Sequence, residues 1–426
     1  GIQVTYYRIN TGSWTTYSGA FNVSTEANGT VTIEYYSIDN VDNIQATQSV
    51  EVQLDKNVPV SSISYVPESG INFVNVNTSF TIIENDSGST ESGIQITYYR
   101  INAGSWTTYS GAFNVGNETN GTVTIEYYSV DNVDNIQATQ SVEVQLDKNA
   151  PVSSFSYIPE HGLNFVNVNT SFTINQQDDG TTESDIQVTY YRVNGGSWTT
   201  YAGAFNVGSE ANGTVTIEYY SVDNVDNIQA TQSVEVQLDR NAPSSIHTYI
   251  PAYVPNYINQ TTTITLDANE DGIGESGVAE IFYNVNGGSF QAYTIPFTLS
   301  IHGDNIIEYY SVDNVGNVEN KSSFTVILDI NDPVTSLFYS PEYGLNFVNA
   351  TTSFSFSTTD SGYGESGVAE IYYNINSTGW TTYSSSFDLS SFSNGTVEIE
   401  YYSIDNVGNA ESIKSELVKL DRNAPT

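Results

Sequence analysis

The sequence predicts an all-β protein built from tandem antiparallel β-sandwich domains. Three observations predict this class. Almost all of the 426 residues belong to one internal repeat, marked by the phrase Leu-Asp-x-Asn-x-Pro, whose Asp recurs at spacings of 92, 92, 90 and 92 residues. Within each repeat, short runs of β-branched and aromatic residues are separated by Gly, Asn, Asp and Pro. Strong helix formers in amphipathic spacing are absent.

The repeat defines five copies, here numbered 1 to 5. Their shared opening strand begins at Gly1, Gly93, Asp185, Gly277 and Gly367. The predicted domains are 1–58 (incomplete, lacking its first strands), 59–150, 151–242, 243–332 and 333–426, the last including the start of the next linker. Copy 1 has no counterpart of residues 59–92, so we expect the chain to be a window of a longer array.

The strand pattern of copy 2 narrows the fold class. The runs SSISYV, FVNVNTSFTII, IQITYYRI, WTTYSGAF, TVTIEYYSV and QSVEVQL predict six or seven short strands in 92 residues. This density, with turns every 8 to 12 residues or so, is typical of an immunoglobulin-like or fibronectin-III-like sandwich. Five such domains on short, Pro-stiffened linkers would extend roughly 150 Å.

One aromatic position is kept in every copy. It is occupied by Trp14, Trp106, Trp198, Phe290 and Trp380. We expect these residues to be core aromatics that bridge the two sheets, with a sugar-binding platform as the alternative.

Composition excludes several classes of function. The chain has no Cys, which removes disulfides, thiolate nucleophiles, zinc knuckles and iron–sulfur ligation. With 10 Lys and Arg against 49 Asp and Glu, the net charge of −39 disfavours nucleic acid and anionic membranes as partners. No apolar run approaches the roughly 18 residues of a membrane helix, so we expect no membrane insertion within this window.

The repeated phrases resemble a known class of domain. Copy 4 shows them best, as NGGSFQAYTIPF from Asn286, EYYSVDNVGN from Glu308 and LDINDP from Leu328. They resemble OmpL47-type and related bacterial immunoglobulin-like repeats of archaeal and bacterial cell-surface proteins. The resemblance covers the whole chain and implies extracellular tandem domains, but its motifs are turns and core positions and specify a domain better than an activity.

The linkers are the best metal candidates. Their Asp and Asn do not vary, and Asp329-Ile330-Asn331-Asp332-Pro333 resembles the calcium-binding linker of cadherins in miniature. A second acidic pair, five residues apart, precedes the opening strand of copies 2 to 5, and a loop facing the linker could share its ion. Calcium prefers six to eight oxygen ligands, and crowded carboxylates are costly without a cation. The candidate calcium ligands are Asp55, Asn57, Asp86, Glu91, Asp147, Asn149, Asp178, Glu183, Asp239, Asn241, Glu270, Glu275, Asp329, Asp332, Asp360, Glu365 and Asp421. The alternative is a plain linker with Asp-x-Asn turns.

A second acidic motif, Asp-Asn-Val-[Asp/Gly]-Asn, is interpreted mainly as a turn. Its first Asp is constant, and we expect it to accept hydrogen bonds in an Asx turn, with calcium ligation as the alternative. Its fourth residue is Asp in copies 1 to 3 and Gly316 or Gly408 in copies 4 and 5, which predicts a positive φ.

Glycosylation is predicted at a set of Asn-x-Ser/Thr sequences. The candidates are Asn28, Asn77, Asn120, Asn169, Asn212, Asn259, Asn349 and Asn394. Relative to the repeat, the sequon at Asn259 in copy 4 lies two residues earlier than the one at Asn77 in copy 2. Residues two apart on a strand point to the same face, so this shift would keep a glycan on one face. The alternative is incidental sequons in an Asn-rich chain.

No catalytic residues or other cofactor sites are predicted. The three histidines, His161, His247 and His302, occupy unrelated repeat positions, and no unit departs from the repeat as a unique active site would require. The predicted role is an extracellular structural protein that self-associates into a surface layer, sheath or filament. The alternatives are an adhesin stalk with its binding head elsewhere, and an array of carbohydrate-binding modules that use the many tyrosines.

Overall fold

The described part of the chain contains only β-strands among its regular elements. The computed structural model describes residues 1–66, 72–88, 90–158, 164–178, 180, 182–250, 256–340 and 344–423. Within these ranges the all-β prediction is confirmed. In the same part of the chain, no helix is long and apolar enough to cross a membrane.

The chain divides into two compact units. Unit 1 comprises Gly1–Ile158, Ser171–Phe205 and Thr216–Val234, and unit 2 comprises Pro159–Thr170, Asn206–Val215 and Glu235–Thr426. Copies 1 and 2 therefore lie in unit 1, copies 4 and 5 lie in unit 2, and copy 3 contributes residues to each.

The strands of copies 1 and 2 are β1 (Ile2–Ile9), β2 (Thr15–Thr16), β3 (Gly29–Asp39), β4 (Gln48–Leu54), β5 (Ser62–Ser64), β6 (Phe73–Val74), β7 (Thr81–Ile83), β8 (Ile94–Ile101), β9 (Thr107–Thr108), β10 (Gly121–Asp131) and β11 (Gln140–Leu146). Those of copy 3 are β12 (Ser154–Ile158), β13 (Phe165–Val166), β14 (Ser171–Asn175), β15 (Ile186–Val193), β16 (Thr199–Thr200), β17 (Gly213–Asp223) and β18 (Gln232–Leu238).

The strands of copies 4 and 5 are β19 (Ser244–Ile250), β20 (Tyr257–Ile258), β21 (Thr263–Asn269), β22 (Val278–Val285), β23 (Gln291–Ala292), β24 (Gly303–Asp313), β25 (Ser322–Leu328), β26 (Val334–Ser340), β27 (Phe347–Val348), β28 (Ser353–Thr359), β29 (Val368–Ile375), β30 (Thr381–Thr382), β31 (Gly395–Asp405) and β32 (Lys414–Leu420).

Each complete copy is a sandwich of a large sheet and a two-stranded sheet. In copy 2 the large sheet has the order β6-β11-β10-β8-β9, and β5 pairs antiparallel with β7 in the second layer. The short strand β6 joins the edge of β11 in parallel. Copies 4 and 5 repeat this order. Copy 1 has the single sheet β2-β1-β3-β4.

The core lies between the two layers because side chains alternate along each strand. On β10, Val123, Ile125 and Tyr127 are buried, whereas their sequence neighbours point to the outer face. Phe80, just before β7, is fully buried and stacks on Phe113 at a ring-centre distance of 5.7 Å. The same two positions stack in copy 5, as Phe354 and Phe387.

Two predicted strands are shorter than the sequence runs that suggested them. The run FVNVNTSFTII is split into β6 and β7 because Asn75 and Thr78 close a turn, with the Thr78 N–H donating to the Asn75 carbonyl at 3.2 Å. The run WTTYSGAF contributes only β9, and Gly111 within it adopts a φ of +146°.

The prediction for the constant Trp position is wrong. Trp380 is 42% exposed. Trp106 lies on the outer face of its sheet, edge-on to Tyr128 at 4.8 Å and under the Arg100 guanidinium at 4.5 Å from the ring centre. Tyr128 and Arg100 alternate with the inward-facing residues of β10 and β8, so the Trp belongs to the outward set.

The predicted backbone conformation of the Asp-Asn-Val-[Asp/Gly]-Asn turn is confirmed. Its fourth residue has a φ of +65° at Asp42, Asp134 and Asp226, +83° at Gly316 and +90° at Gly408. Asp tolerates this left-handed region and Gly prefers it, which explains why these two residue types alternate there.

We expect Phe80→Ala to destabilise copy 2 by about 3–5 kcal/mol, because it removes a fully buried ring and leaves a cavity. Hydrogen exchange of the β10 amides in the intact chain measures this loss of protection. The control is Val66→Ala at a site that is 73% exposed, where we expect a change below about 0.5 kcal/mol. Equal protection in the two variants would show that Phe80 is not a core residue.

Candidate functional site: acidic clusters at the linkers

The linker aspartates are fixed by main-chain hydrogen bonds. Asp147 is completely buried; its Oδ1 accepts the N–H of Asn149 at 3.0 Å and its Oδ2 accepts the N–H of Ser184 at 2.8 Å. The same pair of bonds forms at the other linkers, at Asp55, Asp239 and Asp329. Since Ser184 belongs to the loop before β15, this carboxylate joins the linker to the acidic loop of the next copy.

That loop carries a second carboxylate to the linker. Glu183 Oε1 accepts the amide of Asn149 at 2.9 Å and that of Asn120 at 3.2 Å. Glu91 and Glu275 accept the equivalent Asn pairs, and Glu365 accepts Asn331 at 2.7 Å.

Among the described residues, the structure assembles an acidic cluster at each of the four linkers that join successive copies. In every cluster, three carboxylates each offer an oxygen, and the three oxygens lie within 4.8 Å of one another. We name them linker clusters A to D: Asp55, Asp86 and Glu91 (A); Asp147, Asp178 and Asp223 (B); Asp239, Glu270 and Asp313 (C); Asp329, Asp360 and Glu365 (D).

Two of these cluster members, Asp223 and Asp313, were assigned by sequence mainly to turns. The turn assignment is correct, since Asp223 Oδ1 accepts the N–H groups of Val225 at 2.9 Å and Asn227 at 2.8 Å. Asp223 also lies beside Asp147 and Asp178 in cluster B. In the sequence, the only sign of a role in the cluster was that this Asp is constant in all five copies. The turn alone accounts for that constancy, so the sequence did not reveal the second role.

Several carboxylate oxygens in or beside the clusters are buried without a hydrogen-bond partner. Among the described residues they include Asp178 Oδ2, Glu183 Oε2, Glu275 Oε2 and both oxygens of Glu270. Glu91 Oε2 and Glu365 Oε2 are likewise buried without a hydrogen-bond partner. An anionic oxygen that has lost water without gaining a donor is unfavourable, so these atoms favour a cation or a proton nearby.

The environment raises the pKa of several carboxyls in and beside the clusters. Burial, followed by the charges of Asp147 and Asp223, raises the pKa of Asp178 to about 6. Burial and the nearby Asp239 and Asp313 raise the pKa of Glu270 to about 7. Burial likewise raises the pKa of Glu183 to about 7 and that of Asp360 to about 6.

The donor set suits a hard divalent cation. All the ligand atoms are oxygens, the anionic charge is high, and the oxygens are close enough to share an ion with metal–oxygen distances of about 2.3–2.6 Å. Three or four carboxylates would supply part of the six to eight oxygens that calcium takes, with water completing the shell.

The other predicted ligands are placed differently. Asn57, Asn149 and Asn241 point their amide nitrogens at the neighbouring Glu, so they act as hydrogen-bond donors beside the clusters. Asp332 and Asp421 are exposed and lie outside the four clusters, and Glu183 and Glu275 lie beside clusters B and C without being members. His302 occupies the repeat position of Asn120 in copy 4, and its Nε2 lies 3.6 Å from Glu365.

A second set of contacts joins successive copies. The Asn75 amide donates to the carbonyl of Val225, in the turn of copy 3, at 2.5 Å. Within unit 2, Asn167 donates to Val315 and Asn259 to Val407, both at 2.6 Å. In the opposite direction, the amides of Asn135, Asn227, Asn317 and Asn409 donate to the carbonyls of the linker aspartates at 3.1–3.3 Å.

The predicted glycosylation residues fall into three groups. Asn77, Asn169 and Asn394 are exposed. In contrast, the amide nitrogens of Asn28, Asn120 and Asn212 donate to a Glu in or beside a linker cluster, and that of Asn259 donates to the Val407 carbonyl. Asn349 is half-buried. A glycan on a donating amide would displace its contact, so the exposed group offers the better acceptors.

The histidines show no repeated arrangement. His247 stacks on Phe324 at 3.7 Å, and burial lowers its pKa. His302 Nε2 lies 3.0 Å from the carbonyl of Tyr363. His161 lies outside the described residues.

Comparison with known proteins gives structural likenesses only. No protein-family model matches the chain, so the OmpL47-type resemblance is not confirmed, and no curated protein matches it. A crystal structure of a tetra-tandem repeat in the extending region of a large adhesion protein covers 85% of this chain and 99% of its own, at 16% identity and a TM-score of 0.32.

Two further structures show the same level of similarity. Fibronectin(III)-like modules of Clostridium thermocellum CbhA cover 42% of this chain and 95% of their own, at 10% identity and a TM-score of 0.27. A structure of a 1.5-MDa bacterial ice-binding adhesin covers 65% of this chain and 100% of its own, at 12% identity and a TM-score of 0.31. TM-scores this low carry no argument about what this chain does.

In the presence of a chelator, we expect stability to fall as the pH rises. The pKa of Glu183 is about 7 in the folded chain against an ordinary 4.5, so the native state holds a proton that the unfolded state has lost between these values. Its stabilising contribution is full below about pH 4.5 and is lost as the pH passes through about 7.

Thermal unfolding from pH 4.5 to 8 measures this dependence. Glu183→Gln should flatten it, and Glu143→Gln, at an exposed site, should leave it unchanged. Stability that rises over this range, or the same slope in Glu183→Gln, would contradict the assignment.

Proposed function

We propose that the chain is an extracellular extender, a stalk segment whose successive β-sandwich copies are held in fixed orientations. The observation that carries the proposal is the repeated pair of reciprocal bonds between neighbouring copies. One copy donates from Asn75 to the Val225 carbonyl of the next, and Asn227 of that copy donates back to the Asp147 carbonyl of the linker. Two separated contacts restrict rotation about a linker in a way that one contact does not.

Burial at these contacts supports a fixed joint. Val225, Val315 and Val407 are buried under the Asn residues that bind their carbonyls. A flexible linker would leave such turn residues in water. The net charge of −39 supports solubility in salt and the accumulation of cations, both suited to an extracellular location.

We further propose that calcium occupies the linker clusters. The support is the all-oxygen donor set, the unpartnered buried oxygens and the raised pKa values. A bound cation would neutralise repulsion among carboxylates from two successive copies and would thereby stiffen the joint between them.

A surface layer, sheath or filament is the second candidate. The carbohydrate-binding alternative has less support. The Arg8 guanidinium lies 4.7 Å from the ring centre of Trp14, and this contact occupies a ring face that a sugar platform would need. The absence of enzymatic activity stays a prediction.

We expect Asn259→Ala to loosen the joint between copies 4 and 5. The chain has no Cys, so spin labels can be placed uniquely at Gln291→Cys and Thr381→Cys, both exposed. Double electron–electron resonance should give a narrow distance distribution in the parent chain and a broader one in Asn259→Ala, which loses its bond to Val407.

Gln260→Ala is the matched control, since Gln260 is exposed and adjacent in sequence. It should preserve the narrow distribution. A broad distribution in the parent chain would overturn the extender proposal, and a filament would show itself as polymers in negative-stain images.

We expect the Asp178→Asn substitution to have opposite effects with and without calcium. In a chelator it should raise the unfolding midpoint, since it removes repulsion from Asp147 and Asp223. With calcium at about 100 times its dissociation constant, the parent chain should gain about 2.7 kcal/mol per site, and the variant should lose much of that gain.

Asp134→Asn, at an exposed turn position, is the control and should behave like the parent chain. A midpoint that does not respond to calcium or chelator would remove the calcium proposal.

A further inference from the structure

One aromatic position on the outer face of the large sheet carries a cation in copies 1 to 4. In copies 1 to 3 an Arg guanidinium lies over a Trp ring at 4.5–4.7 Å from its centre, in the pairs Arg8–Trp14, Arg100–Trp106 and Arg192–Trp198. In copy 4, Asn284 replaces this Arg, and Lys321, just before β25, lies over Phe290 at 4.5 Å instead. The cation is therefore kept although it comes from a different place in the chain.

In copies 1 to 3 a carboxylate holds the same guanidinium. Arg100 donates from Nε and Nη2 to the two carboxylate oxygens of Glu126, at 2.7 and 3.0 Å. Arg192 makes the same two bonds to Glu218. Arg100 and Glu126 are cross-strand partners on β8 and β10. Because the ring and the bidentate carboxylate act on one group, each pair of Trp and Glu is a complete binding site for a guanidinium.

Copy 5 keeps the ring and the carboxylate but not the cation. Asn374 occupies the Arg position, opposite Glu400 on β31, and Trp380 occupies the ring position. Ile413 occupies the position of Lys321 in copy 4. No Lys or Arg of the described residues lies over Trp380, which is 42% exposed.

The geometry around Trp380 matches that of the sites that hold an Arg. Trp380 lies edge-on to Tyr402 at a ring-centre distance of 4.8 Å and an angle of 82°. The equivalent pair in copy 2 has a distance of 4.8 Å and an angle of 80°. The buried Asn374 donates its amide to Glu400 at 2.9 Å, so it contacts the carboxylate without covering the ring. The site is preformed, which reduces the ordering that binding requires.

The chain has no spare cation for this site. All ten of its Lys and Arg residues already have a partner. Besides the four that lie over the rings of copies 1 to 4, Lys414 pairs with Glu411 and Lys419 lies over Phe347. The other four donate to main-chain carbonyls: Lys56, Lys148, Arg240 and Arg422. A cation for copy 5 therefore comes from a different molecule, and the net charge of −39 attracts such a partner at long range.

A second change on the same outer face favours a polypeptide as the source of the cation. Leu417 on β32 is 55% exposed. Copies 1 to 3 have Glu at this position: Glu51, Glu143 and Glu235. Leu417 lies two residues from Ser415, the cross-strand partner of Glu400. An apolar contact beside a cation site suits a polypeptide, which brings side chains of both kinds, better than a small cation.

We propose that the outer face of copy 5 binds an arginine side chain of a partner polypeptide, with the guanidinium between the Trp380 ring and the Glu400 carboxylate. The occupant follows from copies 1 to 3, where the same two groups hold an Arg of the chain itself. The site gives copy 5 a partner that the other copies do not bind. It depends neither on the extender role nor on calcium at the linkers.

The test follows the four Trp residues of the intact chain by fluorine NMR after incorporation of fluorotryptophan. The probe is N-acetyl-arginine amide, which carries one guanidinium and no other charge. It should move the Trp380 signal saturably, with a dissociation constant on the order of 10 mM. The other three signals should stay in place, because their rings already carry an Arg. N-acetyl-citrulline amide, which has a similar shape without the charge, should bind at least about 10-fold weaker.

Exchange of Arg and Asn between copies tests the site in both directions. Asn374→Arg should cover the Trp380 ring from within the chain and abolish its response. Arg100→Asn should uncover Trp106 in copy 2, and the Trp106 signal should then respond to the probe. Both residue types occur at this position in the parent chain, so both variants should fold. If one of them fails to fold, the other still decides.

A peptide tests whether the source is a polypeptide. Acetyl-Leu-Gly-Arg-Gly-Leu-amide should bind about 3-fold or more tighter than N-acetyl-arginine amide, since its Leu can pack on Leu417. Leu417→Ser should remove this gain. Equal binding of the peptide and the amide to the parent chain would contradict a polypeptide source.

Several results would overturn the proposal as a whole. They are no response of Trp380 up to about 100 mM probe, an equal response of all four Trp signals, or equal binding of the citrulline amide. Tighter binding of tetramethylammonium or of cellobiose than of the arginine amide would also overturn it, and would identify a quaternary ammonium or a neutral sugar as the occupant.

Discussion

The buried linker carboxylate is the interaction on which the arrangement of successive copies depends. Asp147, with no exposed surface, accepts one N–H from its own linker and one from the loop of the next copy. A buried anion held by two main-chain donors resists displacement, because breaking either bond leaves an unpaired charge in the interior. The bond from Ser184 holds the loop against the linker, so Asp178 and Glu183 lie close to Asp147. A bound cation would offset the resulting repulsion among these carboxylates.

The sequence predicted the fold well because the fold follows from local periodicity. Alternating apolar and polar runs predicted the strands. The occurrence of Asp in some copies and Gly in others at one turn position predicted the positive φ seen at Asp134 and Gly316. The outward position of Trp106 was not predictable in this way, since an aromatic residue next to a turn does not reveal which face it joins. Its Arg100 partner lies on another strand, and their proximity depends on sheet register.

The candidate site was predictable in part. Asp55, Asp86 and Glu91 were selected from composition and spacing, and the structure brings them together. The roles of individual residues needed coordinates. The constancy of Asn57 suggested a metal ligand, but its amide donates a hydrogen bond to Glu91. Asp223 accepts hydrogen bonds within its turn and is also a member of cluster B.

The linker between copies 4 and 5 keeps its contacts although some of its residues differ from those of the other copies. His302 replaces the Asn found at this position in copies 1 to 3 and lies 3.6 Å from Glu365. Tyr363 adds a hydroxyl bond to Asp304 at 2.5 Å. Lost amide contacts are thus replaced by other contacts at the same place, as expected if the orientation of the two copies is what matters.

Calorimetric titration of the chelator-treated chain with calcium, in two buffers of different protonation enthalpy, tests the central claim most directly. We predict about four ions per chain, one for each linker cluster, with proton release at pH 6.5 that fades by pH 8, because calcium displaces protons from carboxyls of raised pKa. No saturable binding up to about 1 mM calcium would contradict the account.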